Sequence, residues 1–153
     1  MNIIISGGSG LIGQHLMRYY FSKYEVKVLT TNSDLVSEKY SYWNPDEEIL
    51  DQDIIDEADV IINLAGAPVA KRWTTSYKRL IMSSRENATK LLVNACNQSK
   101  KLKHFISSSA IGYYGSSPYL RKEDSSPSYD FLGSVCSKWE NEVYKLKDEH
   151  SYN

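Results

Sequence analysis

The chain has 153 residues, 41% of them apolar and 24% charged, with 18 basic against 19 acidic side chains. That is the size and make-up of one globular domain, and it excludes a disordered chain, a collagen-like repeat and a coiled coil. A near-neutral charge gives no field to draw in nucleic acid or anionic lipid, no apolar run approaches the ~20 residues of a membrane span, and two cysteines are too few for a disulfide scaffold.

Ile3-Ile4-Ile5 is a β-branched run that starts too early to leave room for a signal peptide, so a cytoplasmic chain is expected. It runs into Ser6-Gly7-Gly8-Ser9-Gly10, after which Leu11, Ile12, Leu16, Met17 and Tyr20 form the broad apolar face of a helix. Val26, Val28 and Leu29 make a second strand, and Tyr40-Ser41-Tyr42-Trp43 a weaker one that stops at the turn signal Asn44-Pro45. Val60-Ile61-Ile62 follows. A helix from about Thr75 to Ser99 then carries Tyr77, Leu80, Ile81, Ala88, Leu91, Leu92, Ala95 and Cys96 on one side. Phe105-Ile106 is the last strand. The last helix, from about Phe131 to Lys147, carries Leu132, Val135, Cys136, Trp139, Val143 and Leu146.

Strands that are apolar without alternation are buried on both faces, and strands separated by helices need crossovers. The pattern predicts an α/β fold, a Rossmann-like doubly wound parallel sheet with strand order 3-2-1-4-5. Eight acids between Asp46 and Asp59, and the cluster Lys100, Lys101, Lys103 and His104, read as solvated faces. His15, His104 and His150 are too scattered for a metal site, and none is expected.

Gly8-Ser9-Gly10-Leu11-Ile12-Gly13 satisfies G-x-G-x-x-G, and Gly7, Gly10 and Gly13 give the G-x-x-G-x-x-G spacing. The loop leaves a strand and opens an amphipathic helix, the context in which such glycines serve a dinucleotide: a tight turn, close approach to a pyrophosphate, and helix packing. Gly7, Ser9, Gly10, Leu11, Ile12 and Gly13 are therefore the expected phosphate cradle. At the tip of the second strand, Thr30 and Thr31 sit where an acid would select the free ribose hydroxyl of NAD. Their neutrality favours NADP, although no Arg is present to grip a phosphate and Asp34 keeps NAD open. Leu64, Ala65 and Gly66 close the third apolar strand as a small turn, which either lies along the cofactor or simply ends the strand.

With these residues the chain resembles the short-chain dehydrogenase/reductase superfamily, on its extended, NAD-dependent epimerase/dehydratase side. The likeness is carried by Ser6 through Gly13, Asn63 through Pro68, Ser107-Ser108-Ser109-Ala110-Ile111-Gly112-Tyr113-Tyr114-Gly115, and Phe131-Leu132 through Cys136 to Trp139-Glu140. More narrowly it is similar to an atypical subfamily described as sugar-nucleotide epimerases, some labelled cell-division inhibitors, in which the pairs Arg72-Trp73 and Ser84-Arg85 recur. The resemblance implies a Ser-Tyr-Lys arrangement, yet Leu132 and Cys136 stand at the Tyr and Lys positions here, and that subfamily likewise lacks the Tyr and Lys. Tyr19 and Lys23 repeat the spacing by accident, about 13 Å down the first helix.

Ser109 takes the place of the family's strand-end serine, with Ser108 the other register. Tyr113 and Tyr114 follow in the loop, either packed or, given a lowered pKa, replacing the lost proton donor. Arg72 and Arg85 are either ligands of a substrate phosphate or carboxylate, or members of ion pairs. Relatives are about twice as long, since a full dinucleotide fold has two halves. Residues 1–153 are thus expected to be a dinucleotide-binding domain without the C-terminal strands and substrate domain.

Three functions stay open: an NAD(P)-linked oxidoreductase or nucleotide-sugar epimerase acting on a small polar substrate, a cofactor-binding sensor or interaction module without turnover, and an inactive truncated product. Self-association is expected, because Leu132, Val135, Trp139 and the edge of the Phe105-Ile106 strand would lack cover.

Overall fold

The computed structural model describes residues 1–147 and the backbone of residues 151–152. Its strands are β1 (Asn2–Ser6), β2 (Glu25–Thr30), β3 (Tyr40–Tyr42), β4 (Val60–Asn63), β5 (His104–Ser107) and β6 (Ser151–Tyr152). The helices are α1 (Leu11–Tyr20), α2 (Gln52–Asp56), α3 (Thr75–Cys96) and α4 (Phe131–Val143). All pairings of the sheet are parallel, in the order β3-β2-β1-β4-β5-β6. The expected 3-2-1-4-5 order holds, and the sheet continues by one short strand, β6, which covers His104 and Phe105 of the β5 edge.

The centre of the sheet is apolar on both faces because helices cover both. Ile4, Leu29, Ile61 and Phe105 face α3, where Ala88, Leu92, Val93 and Cys96 join Trp43, Ile55, Leu102 and Leu146 in one core. Ile3, Ile5, Val26, Val60 and Ile62 point the other way, against Leu16, Met17 and Tyr20 of α1 and Phe21 after it. Each such Ile or Leu taken from water contributes about 1.5–3 kcal/mol.

Several expectations change. Val135 and Trp139 are only 3% and 4% exposed, because α4 packs along α3; Leu132 is half-buried. The uncovered apolar side chains are instead Ile106 on β5 and Ile111, Tyr119, Leu120 and Tyr129 beyond it. Leu80 is exposed on α3, while Thr89 and Val93 share the buried side. Leu11 and Ile12 are exposed too, since the first turn of α1 projects past the sheet. The acid run is not wholly solvated: Asp59 is buried, accepting from the Asn2 amide at 2.8 Å and pairing with Lys103 at 3.1 Å. The two charge runs therefore meet at the amino ends of β1, β4 and β5.

Candidate functional site

The carboxyl ends of β1, β4 and β5 are joined by one side chain. Asn63, the last residue of β4, is completely buried. Its Nδ2 donates to Thr89 Oγ1 on α3 at 2.9 Å and reaches Ser107 Oγ on β5 at 3.5 Å. Its Oδ1 accepts from Ser6 Oγ on β1 at 2.7 Å and from the Ala65 amide at 3.3 Å. The Asn63 carbonyl takes both the amide and the hydroxyl of Ser108, at 3.0 and 3.2 Å.

Beyond Ser6 the chain turns through Gly7, whose φ of +72° lies in the left-handed region that disfavours a side chain. A Cβ there would also stand 2.5 Å from the Leu64 carbonyl oxygen, so the first glycine presses the loop against the turn after β4. Gly13 seats α1 in the same way, since its Cβ would meet the Gly7 oxygen at 2.6 Å. Gly10 differs: a Cβ would meet only the Gly7 oxygen, at 3.3 Å, and otherwise open space. Of the three glycines, Gly10 is thus crowded by one backbone atom alone and otherwise borders open space.

Gly10 is also the N-cap of α1 without a side chain to cap it, and the first turn holds no acid. The amides of Leu11, Ile12 and Gly13 have no partner within the helix, and the positive end of its dipole faces out beside exposed Ser9. This is a ready cradle for an anion, and it fits the diphosphate of a dinucleotide.

Thr31 is exposed at the tip of β2. The Thr30 hydroxyl accepts from the Asn32 amide at 3.1 Å, and Asn32 caps a 3-10 turn, Ser33–Leu35, by accepting from the Asp34 amide at 3.0 Å. The tip is neutral, with Asp34 in the exposed turn and no Arg or Lys from residue 29 to 35.

Leu64, Ala65 and Gly66 begin a loop that α3 holds at successive points. Ser84 Oγ accepts from the Ala67 amide at 2.9 Å, and Arg85 donates to the carbonyls of Ala67 and Ile81, each at 3.0 Å. Tyr77 donates its hydroxyl to Pro68 at 2.6 Å, and Trp73 its indole N–H to Val69 at 2.8 Å. The Arg85 guanidinium lies 5.4 Å from the Trp139 ring centre, and burial lowers its pKa. Arg85 is therefore held by carbonyls and a ring, and has no ion pair among the described residues. Arg72 is exposed, with no ion pair among the described residues.

Ser107 and Ser108 turn back to Asn63, whereas Ser109 is exposed and donates its hydroxyl to Glu140 of α4. Tyr113 and Tyr114 lie half-buried in a 3-10 turn, Ile111–Tyr114, with ring centres 5.1 Å apart, edge to face. Burial pushes the Tyr113 phenol above its ordinary pKa, and Glu140, Tyr144 and Tyr114 add to the rise. That is opposite to the lowering a replacement proton donor would need. Cys136, at the lysine position, is buried and points its Sγ at the Ala110 carbonyl, 3.7 Å away. Burial first, then Glu140, pushes its thiol up.

Tyr19 and Lys23 do meet, Nζ 3.7 Å from the ring centre, but at the far end of α1. Among the described residues no three His, Cys, Asp or Glu side chains gather as a metal site. His15 bonds the Leu11 carbonyl, and His150 lies outside the described residues. No helix among them is long and apolar enough to cross a membrane.

Thr89 and Glu140 are the site residues that sequence reasoning passed over as functional, and Asn63, read only as the start of the turn after β4, is a tie it did not foresee. Glu140 left a trace, one helical turn past Cys136 on the same face of α4; Thr89 left none.

A family model described as the NAD dependent epimerase/dehydratase family matches residues 3–134. The epimerase family protein SH2119 of Staphylococcus haemolyticus is 37% identical over 145 residues, covering 90% of this chain and 47% of that protein. The chain thus spans about half the length of the curated relatives it matches. The crystal structure of the nucleoside-diphosphate sugar epimerase from Corynebacterium glutamicum is 30% identical with a TM-score of 0.79, covering 97% of this chain and 31% of that one. That of the human epimerase family protein SDR39U1 (isoform2) with NADPH, at 22% identity, shares the fold with a TM-score of 0.82, covering 99% and 52%.

Proposed function

The chain belongs to the NAD dependent epimerase/dehydratase family, and we propose that residues 1–153 are the dinucleotide-binding domain of an NAD(P)-linked, epimerase-like enzyme whose substrate is a nucleotide sugar. The observation that carries the reading is Gly10, open to the outside at the uncapped start of α1 while Gly7 and Gly13 are pinned by backbone. Gly7, Ser9, Gly10, Leu11, Ile12 and Gly13 hold the diphosphate. Thr30 and Thr31 receive the adenosine ribose, and Leu64, Ala65 and Gly66 pack along the cofactor. NADP is the first cofactor and NAD the second, because a neutral tip at Thr30 and Thr31 does not repel a 2′-phosphate. The bound nicotinamide would supply the hydride acceptor or donor. Ser109 hydrogen-bonds the reacting hydroxyl or carbonyl, and Tyr113 and Tyr114 shape the wall beside it.

Most of the substrate site belongs, in this reading, to sequence that the longer relatives carry beyond their matched half. The chain is cytoplasmic, and exposed Ile111, Tyr119, Leu120 and Tyr129 bring copies together, which concentration-dependent light scattering reads out. A second reading, a cofactor sensor without turnover, is favoured by Leu132 and Cys136 at the Tyr and Lys positions and by the raised Tyr113 phenol. Binding of cofactor without any redox change in the presence of sugars distinguishes it.

The test is a fluorescence titration with NADPH and NADH. Wild type binds both, NADPH more tightly, and Gly10→Ala loses at least about tenfold in affinity, or 1.4 kcal/mol, while its melting temperature falls by only a few degrees. Wild type that binds neither dinucleotide overturns the proposal; tighter NADH reverses the cofactor order.

A further inference from the structure

We propose that Glu140 serves the site through Ser109: the carboxylate holds the serine's hydrogen, so the exposed oxygen faces the substrate as an acceptor and passes a hydroxyl proton inward. The inference rests on the reading of the site as a dinucleotide enzyme and names the proton's destination within it. Ser109 Oγ donates to Glu140, the serine exposed and the carboxylate half-buried behind it. A hydroxyl whose hydrogen is already given away offers its lone pairs to whatever approaches from solvent.

Around the carboxylate stand Tyr113 and Cys136, with Arg85 beyond the thiol and Tyr144 beside the phenol. No cation pairs with Glu140 among the described residues. This is where Cys136 matters. A lysine at that position would sit one turn from Glu140 and neutralise it; a thiol leaves the negative charge free to take a proton. As a substrate alcohol is oxidised, its O–H proton goes to Ser109 Oγ and the serine's own proton goes to Glu140. The adjacent C–H bond breaks with its electron pair moving to an oxidised nicotinamide dinucleotide, so one hydride and one proton leave the alcohol. Reduction of a carbonyl runs the same path backwards. Glu140 touches no substrate and is a positioning residue and proton reservoir.

Two measurements test this. In the first, tyrosines carrying 13C at Cζ are titrated by NMR, with Tyr113 assigned by Tyr113→Phe. Glu140→Gln lowers the Tyr113 midpoint, and Ser109→Ala leaves it in place. In the second, NADP+ reduction is followed with UDP-glucose and UDP-glucuronic acid. Glu140→Gln and Ser109→Ala each lose about 10²-fold, the double variant loses no more than either, and Glu140→Asp recovers part. An unmoved Tyr113 midpoint or additive losses overturn the role of Glu140, whereas a wild type that binds NADP+ yet reduces none with either sugar falls on the reading of the site as an enzyme. Failure to bind any dinucleotide falls instead on the reading of the site.

Discussion

Besides the nearby Ala65 amide, the Asn63 side chain bonds three partners far from it in sequence: Ser6, Thr89 and Ser107 are 57, 26 and 44 residues away. A buried amide so placed is costly to lose, because Ser6 and Thr89 are each fully buried and keep a polar group that water cannot reach. Asn63→Ala should destabilise the fold by about 1–3 kcal/mol in urea unfolding, with Thr89→Val at the low end of that range. The distances in sequence also explain why Asn63 was invisible as a tie, whereas the glycines were plain. A glycine answers to its own backbone and the few residues beside it, so Gly7, Gly10 and Gly13 announce themselves by spacing alone. The partners of an asparagine are fixed only when strands from distant parts of the chain pair.

The loop that follows β4 has no regular structure, yet it is fastened to α3 by Ser84, Arg85 and Tyr77 and closed on itself by Trp73, before Thr74 caps that helix by accepting from the Tyr77 amide at 3.1 Å. Ser84, Arg85 and Trp73 thus hold the loop after β4 in place, a purpose that neither a ligand role nor an ion-pair role had suggested. Ser84→Ala and Tyr77→Phe should each cost about 0.5–1.5 kcal/mol and speed hydrogen exchange at the Ala67 amide, with the β1 and β4 amides unchanged. A loop as protected in both variants as in wild type would show these bonds to be dispensable. Strands were legible because burial on two faces leaves unbroken apolar runs. By contrast α2, five residues capped by Asp51, gives too short a period to register, and α3 and α4 end at Cys96 and Val143, short of the expected Ser99 and Lys147.

Across the whole molecule, the sheet order follows from the alternation of strand and helix, but its charge arrangement does not. Asp59, counted with a solvated acid run, is held below the ordinary carboxylate range by the Asn2 amide, then by Lys103. Asp130, the N-cap of α4, is held down by the Gly133 amide and Ser128. A depressed folded pKa contributes stability that is complete above the unfolded value of about 3.9 and is lost as pH falls through the folded one. The urea midpoint should therefore drop below about pH 4, and Asp59→Asn should start lower at neutral pH and fall less steeply. An identical acid limb in that variant would show the carboxylate to be idle.

The amide at the end of β4 also bears on how such a site could be rebuilt. Its bonds join the strand that opens the glycine loop, the long helix and the serine rim, so these are not interchangeable modules. A chimera that imported the opening strand and glycine turn from a distant relative would have to bring matching residues at Ser6, Asn63, Thr89 and Ser107, or inherit an orphaned donor in its core. Natural or engineered exchange at any one of the four should come in company with changes at the others.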